Sequence, residues 1–319
     1  MKVLVIGLGS MGTRRVRNLR ALGVRDIAGY EPKQEKAKEL DKLGIELVPA
    51  LKDLKQYDLI VISTIPGAHL AYARACAKAG VPFFVELNLE TQESRAIERL
   101  AKKHRVRAFF SNTEYFDEDV ARVGAEVGKG FKGYFFFHLG QNIHDWHPWK
   151  KKGEHFIFKP RTNGIREMLR VELPWMLKLF GRVEGLSVES ARVHTKKYGI
   201  DDYMVVHVHF KSGARGVLVL DLVAPEVVKR FEATDARKQV VWKERENVLE
   251  VYRQGKGKHI NLRGKQRLAA YKFHEDAHLA EMAHVLAVLK GKETSKLLAQ
   301  DELDVLSLID KIERTAHKR

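Results

Sequence analysis

The sequence predicts an α/β domain followed by an α+β domain whose sheet is open and predominantly antiparallel. Three observations carry that prediction. Short apolar runs alternate with helical patterns over the first third of the chain, a glycine-rich turn closes the first run, and from about Gly133 consecutive strands replace the alternation. At 319 residues the chain exceeds the size that one hydrophobic core usually organises, so two domains are expected, 1–120 and 121–319. The boundary is a change of pattern and not a spacer, since the sequence has no low-complexity linker and no internal repeat. The terminal helix is left free to pack back on the first domain.

Lys2–Ile6 reads as a buried strand, and Thr13–Leu22 as a helix that turns Val16 and Leu19 inward. Asp26–Tyr30 is a second strand, followed by a charged helix over Lys33–Leu43. Leu59–Ser63 and Phe83–Glu86 are further apolar strands, separated by a helix over Ala71–Ala79 and the turn Gly80-Val81-Pro82. Ala108–Ser111 adds one more. Strands that alternate with helices pair in parallel through right-handed crossovers. In the second part Tyr134–Leu139, Leu186–Thr195, Tyr203–Phe210, Gly216–Leu222, Val227–Ala233 and Val248–Tyr252 read as strands, with turns such as Lys211-Ser212-Gly213 between them. Helices are expected over Glu167–Leu179, His278–Leu289 and Asp301–Ala316.

Composition narrows the class. Hydrophobic residues make up 45% and charged residues 31%, the balance of a soluble globular protein. The 57 basic against 41 acidic residues give a net charge of +16, which favours anionic partners without choosing among them. Cys76 is the single cysteine, so neither an intramolecular disulfide nor a cysteine metal cluster is available. Val3-Leu4-Val5-Ile6 is too short to span a membrane, and it runs into glycines and Arg14, Arg15 and Arg17, unlike a secretory leader. A cytoplasmic address follows as the expectation, and abundant Lys, Arg and Glu with few Asn and Gln lean towards heat adaptation.

Gly7-Leu8-Gly9-Ser10-Met11-Gly12 is G-x-G-x-x-G, standing directly after a strand and opening a helix, the context in which this spacing binds a dinucleotide. Gly7 permits the tight turn, Gly9 admits the pyrophosphate, and Gly12 lets helix and strand pack closely. The helix start then offers free N–H groups to the phosphates, so Leu8, Ser10 and Met11 join the three glycines as cofactor contacts. Glu31 closes the second strand, about 20 residues on, where an acid accepts from a ribose 2′-hydroxyl and repels a 2′-phosphate. NAD is therefore expected over NADP, although Lys33, Arg14 and Arg15 leave room for the latter. The first domain is expected to be a Rossmann NAD(P)-binding domain.

With these residues in place the chain resembles the glucose–fructose oxidoreductase / inositol dehydrogenase / MocA family. The glycines followed by Arg14-Arg15-Val16-Arg17-Asn18-Leu19 are similar to one branch of it. Thr64 and His69 resemble the threonine and histidine after its fourth strand, and Val85-Glu86-Leu87-Asn88-Leu89 falls on its Glu-Lys-Pro signature. His144-Asp145-Trp146-His147-Pro148-Trp149 resembles a segment of the branch associated with surface-polysaccharide and nucleotide-sugar metabolism. Arg166-Glu167-Met168 through Glu172-Leu173-Pro174-Trp175 resembles the helix that follows, and the pattern around Glu281 the closing helices. The resemblance implies an NAD-dependent oxidoreductase acting on a sugar, polyol or nucleotide-linked sugar, with Thr64, Ile65, His69, Glu86, Leu87 and Asn88 against the cofactor.

The departures are specific. The family lysine falls on Leu87 and its proline on Asn88; in the helix, the usual aspartate falls on Glu167 and the usual histidine on Val171. Glu167 and His147 are then the candidates for proton handling, Arg166 for orienting substrate, and Trp146 and Trp149 for stacking on a pyranose face. The alternative is a catalytically degenerate NAD-binding sensor or scaffold that kept the fold and lost the chemistry.

Other constellations weigh less. His274-Glu275-Asp276-Ala277-His278 matches H-E-x-x-H, but the resemblance assigns that helix to domain packing, and no metal is expected. Lys150-Lys151-Lys152 and the stretch Arg253–Arg267, with Lys256, Lys258, Arg263 and Lys265, read as solvated basic faces; nucleic-acid binding would want interleaved aromatics. The first run, beside Trp149, could alternatively receive a substrate phosphate. His207 and His209 point to one side of a strand. Apolar residues such as Val205, Val217, Val219 and Leu249 offer more surface than one helical layer covers, so a homo-oligomer, dimer or tetramer, is expected through the sheet.

Overall fold

The computed structural model describes residues 1–32, 43–146, 153–262 and 275–317. Two compact units emerge, Met1–Phe116 with Glu275–Leu306, and Asp117–His274 with Ser307–Arg319. Among the described residues no helix is long and apolar enough to cross a membrane.

The first unit is built on a six-stranded sheet of order β3-β2-β1-β4-β5-β6. Its strands are β1 (Lys2–Ile6), β2 (Asp26–Tyr30), β3 (Glu46–Leu47), β4 (Leu59–Ile62), β5 (Phe83–Val85) and β6 (Ala108–Phe110), and every described pair is parallel. Alternate residues of β1 go to opposite faces. Val3 and Val5 pack with Val16 and Leu19 of α1 (Ser10–Ala21) and with Met282 and Val285 of a late helix, Glu275–Leu289. Leu4 and Ile6 pack with Ala73 and Cys76 of α2 (His69–Ala79) and Ile97 of α3 (Thr91–His104). Burial on both faces explains why these strands read as unbroken apolar runs. Helix α1 begins at Ser10, a turn earlier than its periodicity suggests, because the glycine turn itself is the helix start. The expected helix Lys33–Leu43 lies almost wholly outside the described residues.

The second unit carries an eight-stranded sheet of order β14-β13-β12-β11-β7-β10-β9-β8. These are β7 (Tyr134–Gly140), β8 (Val183–Ala191), β9 (Tyr203–Phe210), β10 (Arg215–Asp221), β11 (Val228–Thr234), β12 (Gln239–Lys243), β13 (Val248–Arg253) and β14 (Lys256–Asn261). All neighbours are antiparallel except β7 and β10, which pair in parallel. That pairing joins segments distant in the chain, so no turn signal announces it. Helix α4 (Glu118–Val127) starts the unit, and α5 (Gly164–Phe180) lies on one face, where Phe180 stacks on Phe135 at 4.5 Å and Trp175 meets Phe231 edge-on at 5.4 Å. Among the described residues nothing covers the opposite face, where Tyr134 is 69% exposed beside Phe136, His207 and His209. Val205, Val217 and Val219 belong to it. Leu249 does not: its register with Trp242 and Phe231 turns it into the core, where it is fully buried. Two further helices complete the described chain, α6 (Glu275–Leu289) in the first unit and α7 (Ala299–Ala316), whose first residues belong to the first unit and last to the second.

Candidate functional site

The strand order of the first sheet reverses between β1 and β4, and the glycine loop leaves β1 at that point, where parallel sheets open a crevice for ligands. Gly7 sits at φ +84°, and a Cβ there would lie 2.8 Å from the carbonyl oxygen of Ser63. A Cβ on Gly12 would lie 1.8 Å from the Gly7 oxygen. Both glycines answer to the chain's own packing. Gly9 does not, because a Cβ there would meet nothing within 4 Å. The space beside it suits a ligand that must approach the backbone. Gly9 also caps α1 without a side chain, and the first turn holds no acid, so the amides of Ser10, Met11 and Gly12 face no competing carboxylate from that turn. This cradle fits a pyrophosphate. Glu31, directly after β2, accepts the Leu8 N–H through Oε2 at 2.7 Å, tying the loop to the next strand end.

Arg15, one turn into α1, is fully buried. Its Nε donates to Glu86 Oε1 at 2.6 Å, and one terminal nitrogen to Glu86 Oε2 at 3.1 Å and Glu281 Oε2 at 2.6 Å. Glu281, on α6, also accepts from Ser111 Oγ and the Asn112 N–H. Burial alone would lower the guanidinium's pKa; Glu86 and Glu281 outweigh it and raise it. Arg14 is bonded to Glu275 Oε1 at 2.8 Å. Both arginines are thus engaged by carboxylates within the first unit; Lys33 lies outside the described residues.

At the ends of β4 and β5, Ile65 is 58% exposed and Leu87 half-buried. His69 and Asn88 are sealed, and their side chains meet each other: His69 Nδ1 lies 2.7 Å from Asn88 Oδ1, and His69 Nε2 lies 2.8 Å from the Thr64 carbonyl oxygen. Glu86, sealed against Arg15, likewise braces the strand end. The side chains of these three, expected as cofactor contacts, are buried at the strand ends beside the crevice. Thr64 Oγ1 is buried without a partner.

In the second unit Asn163 caps α5, its Oδ1 accepting the Arg166 N–H at 2.8 Å. Glu167 follows in the first turn. Its Oε2 is sealed and has no hydrogen-bond partner, although the residue as a whole keeps some exposure, and burial pushes its carboxyl up to about 8. Arg166 is buried and bonded to Asp310 Oδ1 at 2.6 Å and to Glu313 of α7. It anchors helix to helix. Trp146 ends the single helical turn Ile143–Trp146, and its ring comes within 3.2 Å of where a Gly164 Cβ would stand, so the aromatic packs on the start of α5. His147, Trp149 and Lys150–Lys152 lie outside the described residues, as do His274, Arg263 and Lys265. Glu275 is occupied by Arg14, and His278 Nδ1 stands 3.2 Å from Thr113 Oγ1.

Residues 1–112 match the family described as "Oxidoreductase family, NAD-binding Rossmann fold", Gfo/Idh/MocA. Over these residues the chain is similar to the Gfo/Idh/MocA oxidoreductases. No curated protein sequence matches the chain. Among solved structures it is similar to an oxidoreductase from Agrobacterium radiobacter in complex with NAD+, L-tartaric acid and magnesium, at 16% identity and TM-score 0.84, covering 100% of this chain and 96% of that one. It is similar at 16% identity and TM-score 0.78 to UDP-N-acetylglucosamine 3-dehydrogenase from Acidithiobacillus ferrooxidans, covering 99% and 97%. Biliverdin reductase from Synechocystis, in complex with biliverdin and NADP+, matches at 16% identity and TM-score 0.77, covering 98% of each chain. At such identities the likeness is one of fold.

Within the first unit the Arg15 brace has no signal in the sequence. Its partners lie 71 and 266 residues away, and no local pattern links them. Glu167 yields a direct test. Unfolded, its carboxyl ionises near the ordinary 4.5, whereas folded it keeps its proton up to about 8. Between those values the native state binds the extra proton, so stability falls as pH rises through the window. Glu167→Gln should therefore stabilise the protein more at about pH 8 than at about pH 5, by urea denaturation at both. An equal effect at the two pH values would contradict the buried acid.

Proposed function

We propose that this oxidoreductase uses NAD and acts on a sugar, polyol or nucleotide-linked sugar, with Glu167 as its proton-transfer group. The observation that carries the reading is the Glu167 carboxyl, one oxygen sealed without a hydrogen-bond partner and its pKa raised by burial to about 8, at the helix position where the family resemblance expects an acid. A bound nicotinamide supplies hydride exchange with a carbon that bears oxygen. The chain's part is the proton. Carrying one at pH 7, Glu167 is set to deliver it to a carbonyl oxygen, so reduction is the direction it serves there; ionised above about pH 8, it serves as base for the reverse. Leu87 has no proton to give, and Glu86 is consumed by Arg15. Trp146 and Trp149 offer ring faces to a sugar, with His147 the second proton-handling candidate. Arg166 enters by holding the helix that bears Glu167. The fold likeness to UDP-N-acetylglucosamine 3-dehydrogenase supports the substrate class.

Turnover decides between enzyme and sensor. With NADH and keto-sugars or nucleotide-linked keto-sugars, wild type should reduce substrate, and Glu167→Gln should lower kcat at least about tenfold with NADH affinity unchanged. A wild type inert towards every such substrate, made active by Leu87→Lys, would establish the sensor reading instead.

Glu31 supports NAD over NADP, since its carboxylate is fixed at the strand end where a 2′-phosphate would arrive. Fluorescence titration should give tighter binding of NADH than of NADPH, and Glu31→Ser should narrow the gap while weakening both, because the Leu8 anchor goes too. Equal affinities in wild type would overturn the assignment.

The open face of the second sheet supports a homo-oligomer. Tyr134, Phe136, Val217 and Val219 stand together there by register, more apolar surface than a monomer usually leaves bare. Light scattering at micromolar concentration should report a dimer or tetramer, and Phe136→Lys should shift it to monomer.

A further inference from the structure

His69 opens α2 fully buried, its ring between two oxygens, Asn88 Oδ1 at 2.7 Å from Nδ1 and the Thr64 carbonyl oxygen at 2.8 Å from Nε2. A carbonyl oxygen only accepts, so Nε2 carries a hydrogen. With Oδ1 of Asn88 against Nδ1, that nitrogen would need a hydrogen as well, and the ring would be an imidazolium. Such a cation would be sealed with no carboxylate bonded to it. Glu93, in the first turn of α3, gives its oxygens to the N–H groups of Gly67 and Leu70 at the start of α2, and Glu86 gives its own to Arg15 and Ser63. The same arrangement leaves Asn88 Nδ2 buried without an acceptor. Burying an unpaired charge and an orphan donor together is the costliest option available.

A carboxamide has the same shape at both ends, and a half-turn exchanges them at no steric cost. Nδ2 then donates to a bare Nδ1, the ring is neutral, and the atom left over is an oxygen, which tolerates burial without a partner better than an N–H does.

We propose that Asn88 is a positioning residue of the dinucleotide site, donating through Nδ2 to His69 Nδ1 and so fixing the Nε2–H tautomer that clamps the Thr64 carbonyl. Asn88, His69 and Thr64 tie the end of β5 to the end of β4 beside the glycine loop, since Thr64 Cγ2 stands 2.9 Å from where a Gly7 Cβ would be. The clamp occupies the Thr64 carbonyl, so the turn meets a cofactor through its other groups, the exposed Ile65 first among them. The proline that the family resemblance expects at position 88 could offer the ring nothing, so the clamp belongs to this chain.

The inference rests on the dinucleotide reading of this site, and its test has one arm that does not. Long-range 1H–15N correlation spectra of the full chain, labelled at histidine, should show His69 as the neutral Nε2–H tautomer at about pH 7. Its resonance is the one that moves in Asn88→Asp, whose carboxylate can only accept. NADH affinity at the same pH should fall about tenfold in Asn88→Asp, where Nδ1 loses its donor. An imidazolium in the wild-type spectrum, or an unmoved ring or an unchanged affinity in Asn88→Asp, overturns the proposal. Should Asn88→Asp not fold, the wild-type spectrum decides alone. A chain that binds no NADH would refute the dinucleotide reading, and the tautomer would still be read from the spectrum.

Discussion

The first unit depends on the buried ion cluster of Arg15 with Glu86 and Glu281. One guanidinium joins the helix that begins at the glycine loop, the end of β5, and α6, a segment separated from them by most of the chain. Removing a charge of this kind from water costs several kcal/mol, and only close, hydrogen-bonded partners offset it. Here every nitrogen has one: Nε and one terminal nitrogen go to the carboxylates, the other to the carbonyl of His278. The Phe84 ring, 4.7 Å away, covers one side. The pitch of α1, and with it the direction of its first-turn amides, is set from below by this cluster, while Glu31 holds the loop from above through Leu8.

This arrangement explains what the edge of the first sheet lacks. In the sequence, Glu86 stands beside the position where a lysine would manage protons, and it could be taken for a substitute. Its two oxygens are spent on Arg15 and Ser63. Glu167 is the opposite case, an acid with no cation bonded to it and one oxygen sealed. Both are buried carboxyls, and their neighbours alone separate them. The first is fixed as a counter-ion, whereas the second can hold a proton at neutral pH and lose it only in alkali.

Much of this was legible from the sequence wherever the signal is local. The glycine loop, Glu31 and the parallel strands announce themselves through spacing, a strand-end acid and unbroken apolar runs. The second sheet was legible as predominantly antiparallel, but β12 and β14 were not seen. Gln239–Lys243 and Lys256–Asn261 are short, and the latter is a charged edge whose lysines hide any alternation. β8 begins at Val183, three residues before the apolar pattern does, since its first residues pair through the backbone across a bulge at Gly185. Burial was the other blind spot. His69 and Asn88 look like polar residues beside a cofactor, and spacing cannot tell that a histidine at a helix start has turned inward to a strand end. Leu249 erred in the other direction, because one residue of register decides which face of a sheet a side chain takes.

On the proposed reading, the departure at 171 bears directly on Glu167, one helical turn away on α5. A histidine there could lend charge to the acid, and a cation near Glu167 would draw its pKa down into the ordinary carboxylate range. With Val171 in its place, desolvation is the cause acting on Glu167. A carboxyl with a pKa of about 8 is protonated about ten to one at pH 7, so as an acid it works at nearly full strength. As a base at the same pH it is available about one-tenth of the time, a handicap of about 1.4 kcal/mol on alcohol oxidation. A site that had merely decayed would be under no constraint to keep an acid buried without a partner, since an unpaired buried carboxyl weakens the fold as pH rises. Its retention on a capped helix, anchored by Arg166 to the last helix of the chain, is what an acid kept for delivering a proton requires.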